Sequence, residues 1–147
     1  PRLAELSSEL LIQAARLVRA VRQHGRTSTG FRVLSVLDHL GPLGVTRLAE
    51  IDQCSQPTMS GVVAGLVERG LVTKTPHPDD ARASVVALTE AGATELRETR
   101  AAHAEIVAAL VEASGHTTDD VATAVAVLSD LLGRSRPDSL VLEEGNR

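Results

Sequence analysis

The 147-residue chain has the size of one domain, and its 43% hydrophobic and 23% charged content is that of a globular protein with a buried core. No apolar run approaches the ~20 residues that a bilayer span needs, and the opening PRLAELSSE lacks a secretion signal's basic and apolar regions, so a cytoplasmic location is expected. A net charge of −4, one Phe and no Trp or Tyr disfavour stacking platforms for single strands and weaken long-range steering of nucleic acid, although arginines outnumber carboxylates in the first 32 residues.

Leu3, Leu6, Leu10, Leu17 and Val21 form one stripe of a long first helix that ends near Gly25. Arg19, Arg22 and Arg26 share about a third of its circumference at ~3.6 residues per turn, either as a solvated basic face or as partners for phosphates or an acidic ligand. Residues 27–30, TSTG, read as a break and cap. Phe31, Leu34, Leu37 and Leu40 then mark a second helix stopped by Gly41-Pro42, and Val45 is expected in a brief strand.

Thr46 is the expected N-cap of a short helix carrying Leu48, Ala49 and Ile51, and Asp52, Gln53 and Cys54 interrupt it. Ser55 caps the next helix, and Pro57 is tolerated in its first turn because the early N–H groups have no intrahelical acceptor. Met59, Val62, Val63, Leu66 and Val67 face a core at three- and four-residue steps, and Gly70 ends the helix. Gln56, Thr58, Ser60 and Gly61 occupy the opposite face. Two short helices with this tight turn form a helix-turn-helix, whose second helix can enter a major groove. Residues 71–75 and 84–88 are β-prone and flank a polar tip, residues 77–83, which makes a hairpin, or wing, after that helix.

Thr89 caps a long helix running to about Ala113, with Leu96, His103, Val107 and Leu110 on one side. Ser114-Gly115-His116 breaks it. Thr118, Asp119 and Asp120 open a last helix with Val121, Val125, Leu128 and Leu132 in its stripe, ended by Gly133. The tail, residues 134–147, is polar except for Leu140-Val141-Leu142, and is expected to fray unless that triplet docks on a partner. The outer helices carry more apolar surface than a small winged module can cover, so an intertwined homodimer is expected.

The order Leu48-Ala49-Glu50, the helix from Thr58 to Leu66, Glu68-Arg69-Gly70-Leu71-Val72, and Asp80-x-Arg82 leading to Leu88-Thr89-Glu90-Ala91-Gly92 resembles the MarR-type (multiple antibiotic resistance regulator) winged-helix family. The resemblance covers about the middle third of the chain. It implies a mainly α fold with a small β wing: a winged helix-turn-helix over 30–92, a long connecting helix over 89–113, and dimerisation helices mainly in 1–28 and 114–147, all in one domain. It further implies a DNA-binding transcription regulator, a pseudo-palindromic double-stranded operator, and an effector cleft for a small aromatic or acidic molecule. Asp80 is implied to pair with an arginine that shapes the wing. The family often has two basic residues at the wing tip; here the first is Ala81, which leaves Arg82 alone.

For DNA the residue chemistry assigns roles. Ser55 and Thr58 suit phosphate oxygens or capping, Gln56 suits a bidentate contact with adenine, and Ser60 can pair with several bases. Pro57 or Thr58 can touch a thymine methyl, and Gly61 lets backbone come close. Arg82 suits a narrow A·T-rich minor groove, unless it pairs with Asp79 or Asp80; Lys74 and Arg47 suit phosphates. Each helix residue has an equal claim as plain solvated surface. Arg16, Arg19 and Arg32 are the candidates for an effector carboxylate.

No Gly-rich phosphate loop, HExxH pair or nucleophile elbow is present, so no enzymatic activity and no cofactor are expected. The five histidines are scattered and Asp79-Asp80 lacks further ligands, so no metal site is expected. Cys54 alone excludes an intrachain disulfide; a packed structural thiol is favoured over a redox sensor. The competing reading is a winged-helix dimer that serves as a protein-interaction module.

Overall fold

The computed structural model describes residues 1–25 and 28–133. Six helices and three strands follow in the order α1 (Arg2–Gly25), α2 (Thr29–Leu40), β1 (Leu43–Gly44), α3 (Val45–Asp52), α4 (Gln56–Glu68), β2 (Val72–Pro76), β3 (Ser84–Leu88), α5 (Glu90–Ser114) and α6 (Thr118–Gly133). The fold is therefore mainly helical with a small antiparallel sheet, as expected. Two compact units divide the chain, Pro1–Ile106 and Val107–Arg147. Arg26, Thr27, the tail and its Leu140-Val141-Leu142 triplet lie outside the described residues.

Local signals account for most element ends. Ser28 caps α2 by accepting from the Phe31 N–H at 3.3 Å, and Gly41 terminates it at φ 81°. Ser55 caps α4, accepting from the Thr58 N–H at 3.2 Å, with Pro57 in the first turn. Before it, Gln53 takes φ 54° to reverse the chain, a left-handed conformation that L-residues adopt rarely. Thr89 precedes α5 and accepts from the Gly92 N–H at 3.0 Å while donating to the Gly70 carbonyl at 2.7 Å. At α6, Thr117 and Asp120 exchange hydrogen bonds in a capping box: Asp120 Oδ2 accepts from the Thr117 N–H at 2.8 Å, and Thr117 Oγ1 accepts from the Asp120 N–H at 3.2 Å.

Two local expectations are corrected. The brief strand is Leu43–Gly44, and Val45 instead opens α3 and is buried. Gly44, not Thr46, is the N-cap of α3, and it makes no side-chain cap bond. Val45 is apolar and β-branched, so its burial could be anticipated but its helical geometry could not.

The sheet order is β1-β3-β2, with β3 antiparallel to both neighbours. Val72 pairs with Leu88 and Pro76 with Ser84, which fixes the wing's register, and Leu43 pairs with Val86. Val86 and Val72 turn inward onto a core of Leu34, Leu37, Leu48, Met59, Val63, Leu66 and Leu96. Met59 and Val63 are fully buried and Val62 packs at the margin, but Val67 is 41% exposed. Val67 follows Leu66, the last buried residue of α4, in the final turn of the helix. α5 approaches the start of β2 so closely that a Cβ on Gly92 would sit 2.0 Å from the Leu71 carbonyl oxygen.

Outer helices behave differently. On α1 only Val21 is buried, while Leu3, Leu6, Leu10 and Leu17 are exposed. α6 has no buried residue; Val125, Leu128 and Leu132 are all exposed.

Candidate nucleic-acid interface

Burial of Met59, Val63 and Leu66 sets the rotation of α4 and forces Ser55, Gln56, Pro57, Thr58, Ser60 and Gly61 outward. Their roles differ once partners are counted. The Ser55 hydroxyl donates to Thr58 Oγ1 at 2.8 Å while accepting from the Thr58 N–H, so these two residues lock the first turn. Gln56 donates its side-chain amide to Thr46 Oγ1, across the turn to α3. Ser60 and Gly61 follow on the same exposed surface, and a Cβ on Gly61 would meet nothing within 4 Å.

The wing rises beside this face. His77 N–H donates to the Ala83 carbonyl at 2.9 Å, and Ala83 N–H donates to the Asp80 carbonyl at 3.1 Å. Asp80 Oδ1 accepts from the Arg82 backbone N–H at 3.0 Å, and His77 Nδ1 accepts from the Asp79 N–H at 3.1 Å. Asp80 thus shapes the turn through the Arg82 main chain, not through its guanidinium. Among the described residues neither Arg82 nor Lys74 forms an ion pair. Arg47 pairs with Glu50 at 3.1 Å, both more than half exposed, an arrangement that contributes little and competes weakly with a phosphate.

Thr46, Arg47, Gln56, Ser60, Lys74 and Arg82 line one cleft of about 390 Å³ between the start of α4 and the wing. Three cations, two hydroxyls and an amide on a concave surface form the chemistry a nucleic-acid backbone and base edges call for. Ser55, Pro57, Thr58 and Gly61 are not among its walls; they continue the exposed face of α4.

The effector candidates are not brought together. Arg19 lines a shallow α1 surface of about 540 Å³ with Leu11, Ala14, Ala15, Val18 and Arg22, and Arg16 contacts Gln13 at 3.4 Å. Arg32 is engaged elsewhere. Its Nε and Nη2 reach the two Asp52 carboxylate oxygens at 2.7 and 3.0 Å, and Nη2 also donates to Thr29 at 3.1 Å. Hydrogen bonding to Arg32 holds the Asp52 carboxyl below its usual range against the opposing effect of burial. The same bond raises the Arg32 guanidinium. This clamp joins α2 to the end of α3, and no local signal announces it because its partners lie 20 residues apart. Cys54 is half-buried against the core, its N–H bonded to the Ala49 carbonyl at 3.1 Å.

Among the described residues no three His, Cys, Asp or Glu converge, and no helix is long and apolar enough to cross a membrane. A MarR-family profile matches residues 27–84. An uncharacterised HTH-type transcriptional regulator of Mycobacterium bovis is 29% identical over 129 residues, 85% of this chain and 90% of that protein. The HTH-type transcriptional repressor NicR of Pseudomonas putida is 39% identical over 70 residues, 48% of this chain and 44% of NicR. Wild-type MarR from E. coli, in its apo form, superposes with a TM-score of 0.66 at 22% identity, covering 88% of this chain and 96% of that one. These relatives are named as regulators of transcription, not as enzymes. The matched segment spans α2, the helix-turn-helix and the rise of the wing, and over it the chain is similar to the MarR family of helix-turn-helix transcriptional regulators.

Proposed function

We propose that the protein is a cytoplasmic, DNA-binding repressor acting as a homodimer on a pseudo-palindromic operator, with its two α4 helices in major grooves about one DNA turn apart. The observation that carries this reading is the cleft in which Arg47, Lys74 and Arg82 surround Gln56 and Ser60. Gln56 and Ser60 read base edges, and Pro57 or Thr58 touches a thymine methyl. Ser55 and Thr58 add phosphate contacts, Gly61 admits the DNA backbone, and Arg47 and Lys74 neutralise phosphates. Arg82 enters the minor groove. Repression is supported by the likeness to the repressor NicR over 70 residues. A small aromatic or acidic effector is proposed to release the DNA, its carboxylate taken by Arg19 with Arg22 or Arg16 on α1. Arg32 contributes only if its bond with Asp52 opens.

Titrating the protein against duplexes from its own upstream DNA at several salt concentrations tests the reading. Counterion release demands a steep fall of log affinity with log salt. Arg82→Ala should weaken specific binding and flatten the slope by roughly one unit per half-site. Its melting temperature should hold, because the guanidinium has no carboxylate partner among the described residues. A flat slope in the wild type removes this reading and favours the protein-interaction module.

A further inference from the structure

Gln56 is not a free side chain on a helix surface. Its Nε2 donates to the Thr46 hydroxyl ten residues earlier, on the neighbouring helix. Thr46 is available for this because Gly44 caps α3, leaving the Thr46 side chain without a capping task. Ser55 and Thr58, the other polar groups at the start of α4, are bonded to each other. Thr46 and Gln56 both line the cleft beneath the wing.

We infer that Thr46 is a positioning residue for base recognition, fixing the Gln56 amide in the orientation that selects adenine over guanine. This rests on the DNA-reading role proposed for α4. A glutamine amide has two N–H donors and one carbonyl acceptor. With one donor held by Thr46, the groups left are one N–H and Oε1. That pair complements the N7 acceptor and N6 donor of adenine. Guanine offers two acceptors, N7 and O6, in the same groove, and engaging both requires both amide N–H groups. Release from Thr46 frees the second N–H and lets the amide turn, which admits guanine.

Selection from randomised duplexes, with the full chain as wild type, Thr46→Val, Thr46→Ala, Thr46→Ser and Gln56→Ala, tests the inference. The wild type should enrich adenine at one position of each half-site, roughly 5- to 150-fold over guanine, as a bidentate contact allows. Gln56→Ala should lose preference there. Thr46→Val and Thr46→Ala should accept adenine and guanine within about threefold, and Thr46→Ser should restore adenine. Melting curves accompany each variant. If Thr46→Val and Thr46→Ala melt as the wild type does and still select adenine, the inference is overturned while the regulator reading stands. It is overturned equally if both lose affinity evenly for every sequence, which would make Thr46 part of the fold alone, or if Gln56→Ala leaves the selected position intact. If the wild type enriches no sequence at all, the DNA-reading role itself fails.

Discussion

Gly61 and Gly92 are both helical glycines, yet they stand under opposite constraints. A Cβ on Gly92 would strike the Leu71 carbonyl oxygen and approach Leu88, so packing within the chain accounts for it. Around Gly61 there is open space, and its position in the middle of α4 costs roughly 0.5–1 kcal/mol relative to alanine. Nothing among the described residues repays that cost. Close approach of a DNA backbone would. Gly61→Ala should therefore raise stability by about that 0.5–1 kcal/mol while weakening operator affinity, a pairing that thermal melting and duplex titration on the same preparation can measure. If the variant binds DNA as tightly as the wild type, Gly61 does not face the groove.

Among the elements, the helix pair and hairpin were legible because their signals are local. The Ser55 cap, Pro57, the Met59-Val63-Leu66 spacing and the polar 77–83 tip each lie within a few residues of the feature they specify. What escaped is what joins one element to another. Thr46 bonds ten residues onward to Gln56, and Arg32 reaches Asp52 across twenty. Neither pairing has a sequence period, and Thr46 beside an apolar stripe reads as a cap until the backbone shows Gly44 in that place. The Arg32–Asp52 clamp has a measurable signature. Asp52 titrates lower when folded than when unfolded, where its ordinary value is about 3.9, so the unfolded chain binds the proton first as pH falls. The clamp's contribution is complete above that value and is lost as pH falls through the folded one. Its two side chains are 32% and 14% exposed, so a charged, bidentate contact of this kind should contribute about 1–2 kcal/mol, below the fully buried range. Asp52→Asn should accordingly lie about 1–2 kcal/mol below the wild type in urea unfolding at pH 7, with the gap closing below about pH 4. A gap independent of pH would show that packing, not charge, holds α2 to α3.

At the scale of the whole molecule the outer helices pose the question that the winged core does not. A 24-residue α1 with Leu3, Leu6 and Leu11 at 80%, 57% and 73% exposure, and an α6 with no buried side chain, leave apolar surface that water disfavours. Isolated helices are marginal in water even with good propensity, so these two need a partner surface to persist. A second copy is the partner we propose. It supplies matching leucines by symmetry, and a two-fold axis presents two α4 helices to a pseudo-palindromic site. The net charge of −4 also bears on this, because one acidic chain with few cations in its cleft attracts DNA weakly, whereas two linked clefts act at high effective concentration. Light scattering should give a dimer mass for the wild type. Leu6→Glu combined with Leu10→Glu should give a monomer with reduced helical circular dichroism, because α1 loses its cover. The winged segment, whose core contains neither residue, should keep its fold. Operator affinity should drop by about 10²–10⁴-fold as the second half-site is lost, while affinity for a single half-site changes little. A wild type that is monomeric at micromolar concentration and still binds the full operator tightly would overturn the dimer, as would a double variant that keeps both its mass and its affinity.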